Sequence, residues 1–260
     1  MSKTPADPVA QPPPDDPPWL LVSDIDETFI GDDAATRHLI EIQRRNPQLC
    51  IGLNSSRPLN SVLNTIATIP MGWKPCATIT AMGTELTIGG VRDTAWTQRF
   101  GDWRREPFDV LARRMGWVPH PPMYQTPHKA SFSLPAGADT NAARRAVADV
   151  GIPSLCIISG DVEIDILPPG AGKAPATLHL AQRLGVPKHH LIVAGDSAND
   201  LAMFEAARRG IVVGNARDEL RLALGEGEFY FAQGACAGGI IQGLQHFGVI
   251  PGAAQKETDE

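Results

Sequence analysis

Two aspartates one residue apart, Asp24 and Asp26, stand in the run Val22-Ser23-Asp24-Ile25-Asp26-Glu27-Thr28, where an apolar stretch over 20–22 gives way to a turn. Side chains alternate along a strand, so residues two apart can project into the same space. Like charges that close repel, unless a cation neutralises them or one acid keeps a proton. Catalytic sites use both solutions: one carboxylate can attack phosphorus while the other carries the proton. The bland alternative is a capped turn with solvated acids, since Asp and Thr are common where strands end.

Three other segments carry matching chemistry. The apolar run 191–194 ends in Gly195-Asp196-Ser197-Ala198-Asn199-Asp200, again acids after a strand. Such oxygens suit magnesium, a hard cation, or else they cap the helix that follows. Ser55 follows the apolar run 49–53 and Asn54. It could offer a hydroxyl and a backbone N–H to a phosphate oxygen, with Arg57 beside it. Lys173 closes Pro169-Gly170-Ala171-Gly172-Lys173 and opens a helix, where ammonium and N–H groups could meet an anion. The glycine spacing is not that of a nucleotide-binding P-loop.

These groups need a scaffold that brings strand ends together. Strands over 20–22, 49–53 and 76–80 alternate with helices over 34–45, with Leu39 and Ile42 on one face, and over 61–68, with Val62, Leu63 and Ile66 inward. Asp32 and Asp33 suit the cap of the first helix. The rhythm returns as helix 174–184, strand 191–194, helix 201–208, strand 211–213, helix 218–224 and strand 229–231. Alternation of this kind predicts an α/β fold with a Rossmann-like parallel sheet, in which ligands bind outside the carboxyl ends of the strands. Between the halves, a helix over 105–115, strand 129–134, helix 141–150 and strands 155–158 and 162–166 predict an inserted α+β module. The expected division is a core over 19–91 and 167–251, an insert over 92–166, a proline-rich leader over 1–18 and a polar tail over 252–260.

The 260 residues carry a net charge of −6, from 23 basic and 29 acidic side chains, which gives no footprint for nucleic acid. No run of about 20 apolar residues predicts a membrane span, and the leader, with seven prolines, has no apolar core of a secretory signal. Cys50, Cys76, Cys156 and Cys236 lie far apart in sequence and read as free thiols in a reducing, cytoplasmic setting. A small-molecule partner fits this composition.

Asp24, Asp26, Thr28, Ser55, Lys173, Asp196 and Asp200 occur in the order and setting of the haloacid dehalogenase superfamily, which the chain resembles. The resemblance implies that Asp24 attacks phosphorus and that Asp26 protonates the leaving oxygen and then activates water. Ser55 and Lys173 would hold phosphoryl oxygens. Mg²⁺ would sit on Asp24, Asp196 and the main-chain carbonyl of Asp26, with Asp200 close behind, and the insert would be a cap that closes over the substrate.

Segments Met82-Gly83-Thr84-Glu85, Pro127-His128-Lys129-Ala130-Ser131-Phe132, Ile157-Ile158-Ser159-Gly160-Asp161 and Asp165-Ile166-Leu167-Pro168 further resemble sucrose-6-phosphate phosphatases, over about 20–250. This adds Ser56, Arg57, Glu85, Gln125, Lys129, Asp165 and Asn199 as expected substrate contacts, and an upstream sugar-phosphate synthase as a candidate partner. His128 reads as a structural or solvent-exposed imidazole, since aspartates already fill the acid and base roles. Asn54-Ser55-Ser56-Arg57-Pro58 departs from the S/A-T-G-R-S of those enzymes at Ser56 and Pro58, so phosphates of mannosylfructose, glucosylglycerate or glucosylglycerol stay open as substrates. A phosphomutase and a non-catalytic sugar-phosphate sensor are the rival readings.

Overall fold

The computed structural model describes residues 17–160 and 162–252. The leader over 1–16, the tail over 253–260 and Asp161 lie outside the described residues.

The elements are β1 (Trp19–Ser23), α1 (Asp33–Arg45), β2 (Leu49–Asn54), α2 (Leu59–Thr68), β3 (Ala77–Thr80), β4 (Glu85–Ile88), β5 (Val91–Arg92), α3 (Thr94–Gln98), α4 (Glu106–Met115), β6 (Val118–Pro119), β7 (Ala130–Ser133), α5 (Thr140–Ala148), β8 (Leu155–Ser159), β9 (Glu163–Leu167), α6 (Lys173–Arg183), β10 (Leu191–Gly195), α7 (Leu201–Ala207), β11 (Arg209–Val212), α8 (Asp218–Ala223), β12 (Glu228–Phe231) and α9 (Cys236–His246). Eight strands form one sheet in the order β12-β11-β10-β1-β2-β3-β4-β5, parallel from β12 to β3 and antiparallel beyond. The α/β architecture read from the sequence is this one.

Alternation along β1 explains the layers. Leu21 joins Ile51, Leu53 and Ile192 in a core shared with Leu39 of α1, Val62 of α2 and Ile240 of α9. Leu20 and Val22 face the other way, into a core with Leu180 of α6 and Phe204 of α7. A strand apolar on both faces must be sandwiched by helices, which puts β1 at the sheet's centre and Asp24 at its carboxyl edge. Asp32 caps α1, its Oδ1 accepting from Ala34 and Ala35 N–H at 3.0 Å each.

A second sheet, β6-β7-β9-β8, is antiparallel and packs on α4 and α5 around Phe108, Trp117, Phe132 and Ile164. The chain leaves the large sheet later than residue 92. Trp96 of α3 and Phe100 pack in the large sheet's core, and Trp103 is the first to join the smaller one.

Two expectations are corrected. Leu63 is 48% exposed, because the inward stripe of α2 follows Val62 and Ile66 at four-residue spacing and Leu63 lies off it, about 100° round from Val62. Cys50 and Cys76 form a disulfide with Cα atoms 6.1 Å apart, and only Cys156 and Cys236 are free. β2 and β3 are parallel neighbours with Gly52 opposite Ala77, and this register joins cysteines 26 residues apart. No helix among the described residues is long and apolar enough to cross a membrane.

Candidate active site

The site forms where β1, β2 and β10 run out at one edge of the sheet. Asp24 extends the ladder by one bond, its N–H donating to Ala194 O at 2.9 Å. The chain then turns tightly: Ile25 O accepts from Phe29 N and Ile30 N at 3.0 Å each, and Glu27 takes a left-handed φ of 60°. Asp24 and Asp26 therefore sit in the turn beyond the strand. Asp24 is buried against Lys173, whereas Asp26 is exposed and swings to Arg57.

Lys173, at the first residue of α6, is 2% exposed. Its Nζ donates to Asp24 Oδ1 at 2.6 Å, Asp200 Oδ1 at 2.7 Å and Asn199 Oδ1 at 2.9 Å. Main-chain contacts hold it there. Asn54 Nδ2 at the end of β2 donates to Lys173 O and to Thr177 Oγ1, each at 3.1 Å. Gly83, at φ 83°, lies so close to Gly172 that a Cβ on it would come within 2.1 Å of Gly172 O.

Carboxylate oxygens of Asp24, Asp196 and Asp200 lie within 4.8 Å of one another. Asp200 is the braced member: Oδ1 takes Lys173 and Oδ2 accepts from Asp196 N–H at 3.2 Å and Ser197 N–H at 3.4 Å. Thr28 Oγ1 donates to Asp196 Oδ1 at 3.2 Å and so ties the first acidic turn to the second. Oδ2 of Asp24 and of Asp196 accept no hydrogen bond among the described residues.

One ammonium among three carboxylates leaves negative charge in excess, and the titration of the group reflects it. Burial pushes the Asp24 carboxyl up to about 8, against the opposing Lys173 ammonium and with help from Asp200 and Asp196. Burial and the Asp200 charge also raise Asp196. Burial alone would lower Lys173, but Asp200 and Asp24 outweigh it and hold the ammonium above the ordinary lysine range. Free oxygens and uncompensated charge of this kind fit a hard divalent cation.

The remaining expected residues divide. Ser56, Arg57, Lys129, Asp165 and Asn199 line a cavity of about 310 Å³ between the two sheets, with Met82, His120, Tyr124, Ser159 and Glu163. Lys129, 4% exposed, donates to Ser56 O at 3.0 Å and pairs with Asp165 Oδ1 at 3.2 Å, while Ser131 Oγ bonds the same carboxylate. The Ser55 hydroxyl accepts from Arg57 N–H at 3.1 Å and donates to no group among the described residues, while its own N–H is taken by Ile79 O at 2.9 Å, so only the hydroxyl could meet an anion.

Gln125 and Glu85 do not reach this cavity. The Gln125 amide is consumed by the main chain, donating to Ser131 O at 2.7 Å and His120 O at 3.2 Å and accepting from Ser131 N at 3.0 Å. Glu85 accepts from Thr80 Oγ1 at 3.1 Å. Burial pushes the neighbouring His128 imidazole down, with Glu85 opposing, in keeping with a structural histidine. The sequence reading missed His120, Tyr124, Ser159 and Glu163. A signal existed for Glu163, which lies two residues before Asp165 on β9 and shares its face.

The family model described as sucrose-6F-phosphate phosphohydrolase matches residues 17–248. A mannosylfructose-phosphate phosphatase of Agrobacterium fabrum is 32% identical, over 89% of this chain and 98% of that protein. Sucrose-phosphatase 1 of Nicotiana tabacum is 28% identical over 93% of this chain but 62% of its own length, so the chain spans under two thirds of that plant relative. Among solved structures, the sucrose-phosphatase of Synechocystis sp. PCC6803, in complex with sucrose and phosphate, superposes with a TM-score of 0.82 at 29% identity, over 89% of this chain and 98% of that one.

Proposed function

The chain belongs to the sucrose-6F-phosphate phosphohydrolase family of haloacid dehalogenase-type phosphatases, and on that premise we propose that it hydrolyses a disaccharide phosphate, sucrose 6-phosphate first, through an aspartyl-phosphate. The observation that carries this reading is Lys173, a buried ammonium bonded to Asp24 at 2.6 Å and to Asn199, which lines a cavity of about 310 Å³. A pocket of that size with a few fixed polar groups suits a sugar.

In this proposal Asp24 Oδ2 attacks phosphorus as the bond to the sugar oxygen breaks. That oxygen keeps the electron pair and takes a proton from Asp26. Asp26 then removes a proton from the water that attacks the aspartyl-phosphate, which frees inorganic phosphate and restores Asp24. Lys173 and the Ser55 hydroxyl hold phosphoryl oxygens, and Thr28 keeps the acidic turns together. Mg²⁺ held by Asp24, Asp196 and the Asp26 carbonyl, braced by Asp200, would supply charge neutralisation on the phosphoryl group. The smaller sheet acts as a cap, on which Lys129 and Asp165 meet sugar hydroxyls, and an upstream synthase supplies the substrate. The cytoplasmic setting remains part of the proposal, though the Cys50–Cys76 pair removes one of its supports.

A second reading, mannosylfructose phosphate as substrate, is favoured by the 32% identity to an enzyme of that name over nearly its whole length. Phosphate release from a panel of phosphorylated disaccharides and glycosides, scored by kcat/KM with and without Mg²⁺, ranks the two. Isomerised sugar phosphate without free phosphate would make the protein a mutase, and absence of turnover on every member would remove the hydrolase reading.

A further inference from the structure

Arg57 was expected to bind substrate, yet its guanidinium is already occupied. Nε donates to Ser61 Oγ at 3.0 Å, and Nη2 donates to Ser61 O at 2.9 Å and Thr65 Oγ1 at 2.5 Å. Ser61 and Thr65 lie four apart on one face of α2, and Arg57, just before the cap, reaches along that face. Pro58, at the N-cap with φ −70°, fixes the turn from which the arginine starts back along the helix. Only Nη1 is left for another element, and it meets both oxygens of Asp26, at 2.9 and 3.2 Å.

We infer that Arg57, which lines the cavity, is a positioning residue for Asp26, holding a carboxylate that no other side chain fixes among the described residues. This rests on the proposed role of Asp26 as acid and base. Asp26 lies in an exposed turn, and its carboxylate would otherwise sample several rotamers. A guanidinium locked at three points on a helix is a rigid anchor that costs little entropy when it engages a carboxylate. The role belongs to the proton-transfer step, whereas phosphoryl binding falls to Lys173 and Ser55.

The test uses two leaving groups. A sugar alkoxide needs a proton as its bond to phosphorus breaks, and the phenolate of 4-nitrophenyl phosphate does not. With Mg²⁺ present, Arg57→Gln is expected to lower kcat/KM for the best sugar phosphate by about a hundredfold, the low end of what a positioned acid supplies, and for the nitrophenyl ester by less than about threefold. In an Asp26→Asn background the same substitution should add nothing, as befits two residues acting as one unit. Ser61→Ala with Thr65→Val, which unlocks the arginine without removing it, should give a smaller loss with the same selectivity; it carries the test if Arg57→Gln fails to fold. Equal losses on both esters, a change confined to KM, no loss, or a gain would each overturn the assignment. If the parent hydrolyses the nitrophenyl ester but no sugar phosphate, the proposed substrate class has failed instead, and the Asp26→Asn comparison on aryl phosphates of graded leaving ability still decides the role of Arg57.

Discussion

Replacing Lys173 by Met keeps the length of the side chain and removes its charge. The ammonium is 2% exposed with three acceptors within 2.9 Å, so little water can replace it. Removing one partner of a buried ion pair leaves the other charge unpaired and costs about 3–5 kcal/mol. At about 2–4 °C per kcal/mol for chains near this size, Tm should fall by roughly 6–20 °C at neutral pH in chelator. The loss should depend on pH. Asp24, raised to about 8, binds a proton in the folded state that the unfolded chain has released above its ordinary 3.8. Stability therefore falls with rising pH across that window. Without the lysine that lowers it, Asp24 rises further and the fall continues to higher pH. Lys173 itself stays charged throughout the window, so the difference between parent and variant should be larger at pH 8 than at pH 5. Thermal unfolding monitored by circular dichroism at both values measures it, with phosphate release as a parallel assay. A variant within about 2 °C of the parent at pH 8 would refute the reasoning, as would a difference that shrinks as pH rises.

Three further outcomes are expected. Asp24→Asn should abolish phosphate release, a loss of at least about a thousandfold by malachite-green assay, and near-parent turnover would remove the nucleophile. Lys129→Met should lower kcat/KM for a disaccharide phosphate at least about tenfold more than for 4-nitrophenyl phosphate, since its ammonium faces the cavity beside Asp165; equal losses would deny it a sugar-specific role. Gly83→Ala, which forces a Cβ to 2.1 Å from Gly172 O at a left-handed φ, should cost about 1–3 kcal/mol and depress activity by displacing Lys173. Denaturant unfolding and kcat read the two effects separately.

Much of the fold was legible because β1, β2 and β10 are short apolar runs that end in polar turns and alternate with helical stretches, the pattern of buried parallel strands. The short pieces were not. β4 and β5 flank Gly89-Gly90 and give too little alternation, and α3 is five residues held by Asp93 accepting from Trp96 N–H at 3.1 Å. Their packing on the large sheet moved the expected edge of the insert past Phe100. Within the site, Lys173 and the acidic turns could be read because strand ends converge. The work of Gln125 could not, since its partners are main-chain atoms positioned by β7. The anchor of Arg57 was visible all along as Ser61 and Thr65, but the four-residue spacing acquires meaning only once α2 is known to begin at Leu59.

The clamp around α3 bears on how the two layers can move. The chain crosses between them twice, over 100–103 and over 167–172. Trp96 lies just before the first crossing, where its Nε1 donates to Gly83 O at 3.0 Å, and Gly83 in turn abuts Gly172 at the end of the second. Asp93 adds contacts to His179 at 3.1 Å and Arg183 at 2.8 Å on α6. The large-sheet ends of both crossings are thus moored to one block, and a tilt of the smaller sheet would have to pivot within the crossings themselves. Closure of the proposed cap would then leave the lysine anchored.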